Sequence, residues 1–322
     1  MTQAIDDFQS ILESKFDLNT QTSSNFSYLG LSVIRDRISR ITTVSQDYYL
    51  KAILDRYLVP GSRPRTTPMD ASYISKQYSQ NEQACDRKEY LSLVMSLMYL
   101  ARFTRPDILF AVTFLATKCE APTDTDFKEA KKVVQYLATT GTLAYVFNGD
   151  DISLQFYIDA SHGVHPDGRG HTAIAASFGS SPVLIRSAKQ RLVALHSTDA
   201  EVYAVVEGIT YVIWIRVFLS KLGFELEGPI PIHQDNKSAM IIYQNGGQFK
   251  RSKHLLVKHN YIKDLLNRGI VDFRYLATAD IPVDPMSKPV PASGLQRMKN
   301  YFKMRSLLLQ SDQESMLNIS VH

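Results

Sequence analysis

The sequence predicts an α/β protein whose main body, over residues 149–290, is a mixed sheet with helices packed on it, preceded by a small α+β segment and a helical stretch. Three observations carry that expectation. After Gly149 the pattern runs strand, hairpin, helix, strand, helix, a succession that a sheet flanked by helices accommodates. Between Cys85 and Thr139 the apolar spacing is helical, interrupted at "FTRPD" and "CEAPTDTD". Hydrophobic residues make up 44% of the 322 and charged residues 21%, so the chain has the apolar content for an ordinary core and is not expected to be disordered.

The elements follow in order. Ile5, Phe8, Ile11, Leu12 and Phe16 recur at helical spacing and predict a short amphipathic helix. "SYLGLSVIRD" and "RISRITTVS" read as a hairpin joined at Arg35-Asp36-Arg37, with Ser45 capping a helix through "QDYYLKAILDRYL". The prolines of "VPGSRPRTTP" make an extended connector. Three helices come next, with Asp124 or Thr125 capping the last, and this part reads as a packing module or spacer. "ISLQFYID" is a strand, and "HTAIAASFG" and "PVLIRSA" pair across Gly179-Ser180-Ser181. A long helix then runs from "STDAE" to Gly223. The strand "PIPIHQ", a helix after Asp235, a helix over 253–267, the strand "IVDFRYLA" and the turn "TADIPVDPMSKP" complete the pattern, and "LLLQSDQESMLNISVH" reads as a loose tail.

Composition narrows the function classes. A net charge of +4 permits a polyanionic partner without requiring one. Cys85 and Cys119 have neither CxxC nor finger spacing, so no disulfide framework or zinc finger is expected. "MTQAIDDFQS" is unlike a signal peptide, and the apolar runs "YVIWIRVFL" and "DILFAVTFLA" are short and bounded by charge. An intracellular protein with buried helices and no membrane partner is therefore expected. No G-x-S-x-G elbow or Walker A motif occurs, which leaves little for a generic hydrolase.

Four carboxylates stand out, and each has a bland explanation. Glu201 completes a Thr198-x-x-Glu201 capping box, Asp235 sits where a helix N-cap belongs, Asp284 precedes Pro285 as a cap would, and Asp159 fits a strand-end turn. Their joint placement points elsewhere. Asp159 and Asp235 end two strands and Glu201 begins the intervening helix, so neighbouring strands would bring all three into one small volume. Clustered acids of this kind call for divalent cations, and two such ions about 3.5–4 Å apart hydrolyse phosphodiesters.

The run from "YIDASHGVHPDG" through "SAKQRLVALHSTDAE", "QDNKSA" and "VDPMSKP" resembles the ribonuclease H domain of copia-type LTR retrotransposon Pol polyproteins, with its motifs in family order and spacing. The second of these is similar to the serine-rich stretch ending in the family's catalytic glutamate, the third to its D-N-x-S-A motif and the last to its closing A-D-x-x-T-K-P. The resemblance implies catalytic and metal-binding roles for Asp159, Glu201, Asp235 and Asp284, with Asp280 a competitor for the last at the wrong distance from Lys288-Pro289. It also implies two Mg2+ ions, with Mn2+ as substitute, and endonucleolytic hydrolysis of the RNA strand of RNA–DNA hybrids. Its fold would be a ribonuclease H-like mixed sheet with flanking helices.

Upstream, "YLGLSVIRDRISRITTVSQDYYLKAILDRYLV" and "YLSLVMSLMYLARFTRPDILFAVTFLATK" resemble the end of the reverse transcriptase domain and the connection after it. The implied division is a reverse transcriptase remnant over 1–60, linker and helical connection over 61–148, ribonuclease H-like domain over 149–290 and a tail over 291–322. The family's Y-x-D-D polymerase turn has no counterpart; "FNGDD" imitates it but follows the connection helices, so polymerase activity is expected to be missing. Other pol- or gag-derived proteins are implied partners, and the cytoplasm, a virus-like particle or the nucleus the implied location. The family's K-H-I-D reads Lys253-His254-Leu255-Leu256, and Val283 and Ser287 replace its alanine and threonine. These departures remove no proposed ligand but leave open a decaying copy.

His162, His165 and His171 share one loop without the helical pair or cysteine of a zinc site, and are expected to be solvated or hydrogen-bonded. His254 or His259 reads either as an exposed histidine on a basic helix or as an aid to proton transfer. Lys250, Arg251, Lys253, Lys258, Lys263 and Arg268 form a solvated face or a phosphate-tracking one. On the second reading Lys189, Arg191, Lys237, Arg251, Lys253 and His254 contact nucleic acid, mostly through its backbone. The rival to the enzyme is a catalytically inactive binding or scaffolding module.

Overall fold

The computed structural model of the chain describes residues 2–18, 20, 23–75, 82–149, 151–245 and 253–307. Helix α1 (Thr2–Glu13) is the expected amphipathic helix, with Phe8 and Ile11 exposed. Three antiparallel strands follow, β1 (Asn25–Tyr28), β2 (Leu31–Asp36) and β3 (Ile41–Ser45). The stretch expected to be one strand is two, because Leu29 and Gly30 take positive φ of 47° and 74° and fold a tight turn between them. Helix α2 (Asp47–Tyr57) has Gln46 at its N-cap; the hydroxyl of Ser45, the expected cap, bonds the Asp47 carboxylate instead at 3.1 Å.

Short α3 (Ala71–Ser75) precedes the three expected helices, α4 (Arg87–Phe103), α5 (Leu109–Ala116), entered through a 3-10 turn at Pro106–Ile108, and α6 (Asp124–Thr140). Asp86 caps α4 by accepting from the Lys88 and Glu89 N–H groups. The cap of α6 is Thr123, one residue before Asp124 and two before Thr125, the expected ones, because Asp126 completes a reciprocal capping box with it. Strand β4 (Leu143–Asn148) then pairs with β3. The remaining elements are β5 (Leu154–Ser161), β6 (His171–Phe178), β7 (Ser181–Lys189), α7 (Ser197–Lys221), β8 (Ile230–Gln234), α8 (Lys237–Asn245), α9 (Lys253–Asn267), β9 (Val271–Tyr275), a 3-10 turn at Asp284–Met286, α10 (Ala292–Tyr301) and β10 (Arg305–Ser306).

Two five-stranded sheets result among the described residues, ordered β1-β2-β3-β4-β10 and β7-β6-β5-β8-β9. In the second, β5, β6 and β7 are antiparallel while β8 runs parallel to β5 and β9 parallel to β8. This is the ribonuclease H-like mixed α/β sheet. The alternation of β5 divides its side chains between two cores. Phe156 and Ile158 pack with Ile174, Val205, Ile209 and Ile262 under α7 and α9, whereas Tyr157, Ala173 and Ala175 join the core of α4, α5, α6 and α10. Gly208 lets α7 lie close on β5, since a Cβ there would sit 2.3 Å from Ile158 Cδ1. By length and composition α7 could cross a membrane, but its buried face is this packed core.

The first sheet takes strands from three of the four segments expected from sequence, since β3, β4 and β10 are neighbours. The segment after residue 290 is not simply a tail: α10 buries Leu295 and Met298, and β10 pairs with β4 at Arg305↔Ala144. Helical apolar spacing at the end of the chain has a core to fill here. Residues 308–322 lie outside the described ones.

Candidate metal centre

The parallel register Phe156↔Ile232 and Tyr157↔His233, continued to the strand ends, sets Asp159 beside Asp235. Glu201 enters from the first turn of α7. Asp159, Glu201 and Asp235 each place an oxygen within 4.8 Å of the others, Asp159 and Glu201 buried and Asp235 half-buried.

The bland roles open to two of these acids are taken by other groups or left unfilled. Helix α7 has His196 at its N-cap and no side-chain cap, and Glu201 accepts from Gln234 Nε2 at 2.9 Å rather than bonding back to its own helix. At α8 it is Asn236 Oδ1 that accepts the Ala239 N–H, at 2.9 Å, leaving Asp235 to accept from Thr278 Oγ1 at 2.6 Å. Asp284 does open a 3-10 turn with Pro285, but its carboxylate pairs with Lys288 Nζ at 2.6 Å and stands outside the group of three. Asp280 is exposed, on a separate cleft with Tyr157, His233 and Tyr301.

Burial pushes the Asp159 carboxyl up to about 6, and the neighbouring Asp284 and Asp235 charges add to that, against Lys288 and the Ser287 hydroxyl. Glu201 is driven well above the ordinary glutamate range by burial and then by Asp159. Burial disfavours the Lys288 ammonium, but Asp159, Asp284 and Asp235 together hold it above its usual value. Ser287 Oγ donates to Asp159 Oδ2 at 2.5 Å. An all-oxygen donor set, crowded and short of positive charge, suits a hard divalent cation. Gln234, Thr278, Ser287 and Lys288 were not singled out as site residues from sequence; Gln234 heads "QDNKSA" and the last two lie in "MSKP", contexts that could have drawn attention to them, whereas Thr278 has no such signal.

The basic residues divide. Arg186, Lys189, Arg191 and Lys258 line an open groove of about 610 Å³ together with Tyr203 and Tyr211. Lys258 Nζ lies 4.4 Å over the Tyr203 ring, and Lys189 pairs with Asp167 at 2.7 Å. Lys237 lies 4.4 Å over Tyr275, away from that groove. Arg251 lies outside the described residues, and Lys253 and His254 belong to the first turn of α9. His165, His171 and His259 are buried, contrary to a solvated reading, since aromatic rings pack against all three. All three loop histidines meet the other expectation, hydrogen bonding: His162 Nε2 lies 2.9 Å from the Ala194 carbonyl, His165 bonds His171, and His171 bonds Ser187.

No family model matches the chain. The retrovirus-related Pol polyprotein from transposon TNT 1-94 of Nicotiana tabacum is 28% identical over 285 residues, 86% of this chain and 21% of that protein. The corresponding polyprotein from transposon RE1 of Arabidopsis thaliana is 30% identical over 287 residues, 88% of this chain and 19% of that protein. The chain thus spans about a fifth of the length of these relatives. Among solved structures, LC11-RNase H1 in complex with an RNA/DNA hybrid is 16% identical, covering 41% of this chain and 92% of that one, with a TM-score of 0.32. Strand order, rather than that superposition, identifies the fold. With the two polyprotein alignments running over most of its length, this chain is a homologue of part of the retrovirus-related Pol polyproteins of copia-type transposons.

Proposed function

We propose that the chain hydrolyses the RNA strand of RNA–DNA hybrids with divalent cations, Mg2+ in the first place and Mn2+ as substitute, held by Asp159, Glu201 and Asp235. The observation that carries this reading is the convergence of the three carboxylates within 4.8 Å at the end of two parallel strands and the start of a helix. When bound, paired cations at such a site activate water and stabilise the leaving oxygen of a phosphodiester. The protein's own part is to hold the ligands still. Gln234 fixes Glu201, Thr278 fixes Asp235 and Ser287 fixes Asp159. Asp284, paired with Lys288, completes the rim of the site.

The groove of Arg186, Lys189, Arg191 and Lys258 carries the phosphate backbone, and its tyrosines offer apolar faces to sugar or base. Affinity through such contacts falls steeply with salt. Purified chain, incubated with a labelled hybrid and Mg2+, is expected to cut the RNA strand. Asp235→Asn is expected to reduce the rate by about a hundredfold or more, and a chelator to abolish it. Equal cleavage by wild type and Asp235→Asn would sink the reading. A second reading, binding without hydrolysis, draws on the engagement of Asp284 by Lys288 outside the group of three. The same assay decides it, with hybrid retained on a filter but uncut.

A further inference from the structure

We propose that His171 and Ser187 are positioning residues for the carboxylate site: they hold the Asp284–Met286 turn by its Met286 carbonyl, and the turn holds Ser287 and Lys288 against Asp159. The contacts form one chain. His165 Nε2 lies 2.9 Å from His171 Nδ1, His171 Nε2 lies 2.6 Å from Ser187 Oγ, and Ser187 Oγ donates to the Met286 carbonyl at 2.7 Å. The next residue, Ser287, donates to Asp159 at 2.5 Å, and Lys288 pairs with Asp284 at 2.6 Å.

One assignment of protons satisfies the three contacts together. Ser187 has a single hydroxyl proton and gives it to Met286, so His171 presents Nε2–H to the serine oxygen. His171 Nδ1 is then the acceptor and His165 Nε2 the donor, both rings neutral. Burial holds His165 down to about 4 and lowers His171 well below the usual histidine range, in keeping with that assignment. Residues of one helix pack against this network. Phe114 stacks on His165 at 5.0 Å and Phe110 meets His171 edge-on at 4.9 Å, and Thr113 Oγ1 lies 3.1 Å from Ser187 Oγ. All three of those residues belong to α5. The helical stretch that reads as a spacer therefore forms one wall of the support under Asp159.

A buried carbonyl that loses its donor costs more than the bond itself contributes, because nothing replaces the lost partner. The turn is short, and a shift of about 1 Å at a catalytic constellation is enough to cost up to a hundredfold in rate. The kinetic part of this proposal rests on the hydrolytic reading above; the structural part does not.

The test uses the full chain and three variants. Ser187→Ala and His171→Leu break the chain, and His171→Gln keeps an N–H near the Nε2 position. Hydrogen–deuterium exchange over residues 281–290 is measured beside kcat and KM on the hybrid and Mg2+ affinity by calorimetry. Uptake over 281–290 is expected to rise about tenfold in the first two variants and to stay near wild type in His171→Gln, with β8 and β9 unchanged. The first two are also expected to lose about tenfold in kcat at unchanged KM. Wild-type uptake in Ser187→Ala overturns the proposal, and so does a rise spread evenly over β5 to β9, which marks a general folding defect. If wild type neither binds Mg2+ nor cuts while 281–290 still opens in the variants, the hydrolytic reading fails and the positioning role stands.

Discussion

Asp107 and Asp159 are both removed from water, at 1% and 2% exposure, yet their surroundings treat them in opposite ways. Asp107 receives Arg105 through two bonds, Nε to Oδ1 at 2.9 Å and Nη2 to Oδ2 at 2.8 Å, and Tyr136 Oη donates to it at 2.8 Å. Burial alone would raise its carboxyl, but the Arg105 guanidinium holds it below the usual range. Asp159 faces Glu201 and Asp235, with Lys288 as the offsetting cation, and is pushed up to about 6. The first arrangement is electrically complete and ties the turn at Pro106–Ile108 to the end of α6. The second is incomplete without added positive charge. Burial of an acid is thus no sign of function by itself; what distinguishes the two is whether the fold supplies the counter-charge.

Breaking the complete pair should have the largest effect. Arg105→Ala strands a buried carboxylate and is expected to cost about 3–5 kcal/mol, read from urea unfolding curves. A loss under about 1 kcal/mol would show that Asp107 takes up a proton at little cost. At the incomplete site the sign reverses. Asp159→Asn removes one of the crowded charges and is expected to stabilise the metal-free protein at pH 7 by about 2 kcal/mol while abolishing cleavage. Loss of stability there would mean that Ser287 and Lys288 outweigh the like charges.

The smallest expected effect is the pH dependence of cation binding. A carboxyl raised to about 6 in the folded state binds its proton more tightly than in the unfolded chain. Its folded form is therefore favoured as pH falls from about 7 toward 4, and disfavoured as pH rises. His165, lowered to about 4, works the other way, stabilising above the ordinary histidine range and losing that contribution as pH falls toward 4. The two tendencies oppose, so the informative measurement is the difference in Tm with and without Mg2+. That difference is expected to be larger at pH 8, by about 2–4 °C, than at pH 5.5, where protons compete for the ligands. A shift independent of pH would separate cation binding from Asp159 and Glu201.

Much of the fold was legible in the sequence because it is set by local periodicity. Alternation in "ISLQFYID" and helical spacing over 253–267 correspond to β5 and α9, the latter at Lys253–Asn267 as expected. Misreadings cluster where a backbone choice overrides the pattern. Leu29-Gly30 splits one apparent strand, Thr123 takes the cap from its neighbours, and β10 is only two residues long and exists by pairing with β4. In the first sheet the hairpin of β2 and β3 was expected, but its extension by β4 and β10 was not, since those pairings join positions more than a hundred residues apart.

For the site, the sequence by itself determined the residue types and their order: an acid at each of two strand ends, one at a helix start, and the "DPMSK" turn after them. It left Glu201 and Asp235 open between capping a helix and holding a cation, because a carboxylate at a helix start has the same local pattern in both roles. Tertiary structure decided between the two geometries, with Asn236 as the cap of α8 and Gln234 as the partner of Glu201. It also decided between the two expectations for the loop histidines: all three are hydrogen-bonded, two of them as buried rings behind the site and one at Ala194. Periodicity reports which way a side chain leaves its own strand or helix. Desolvation and charge crowding depend on what arrives from distant parts of the chain, and only the folded arrangement contains that information.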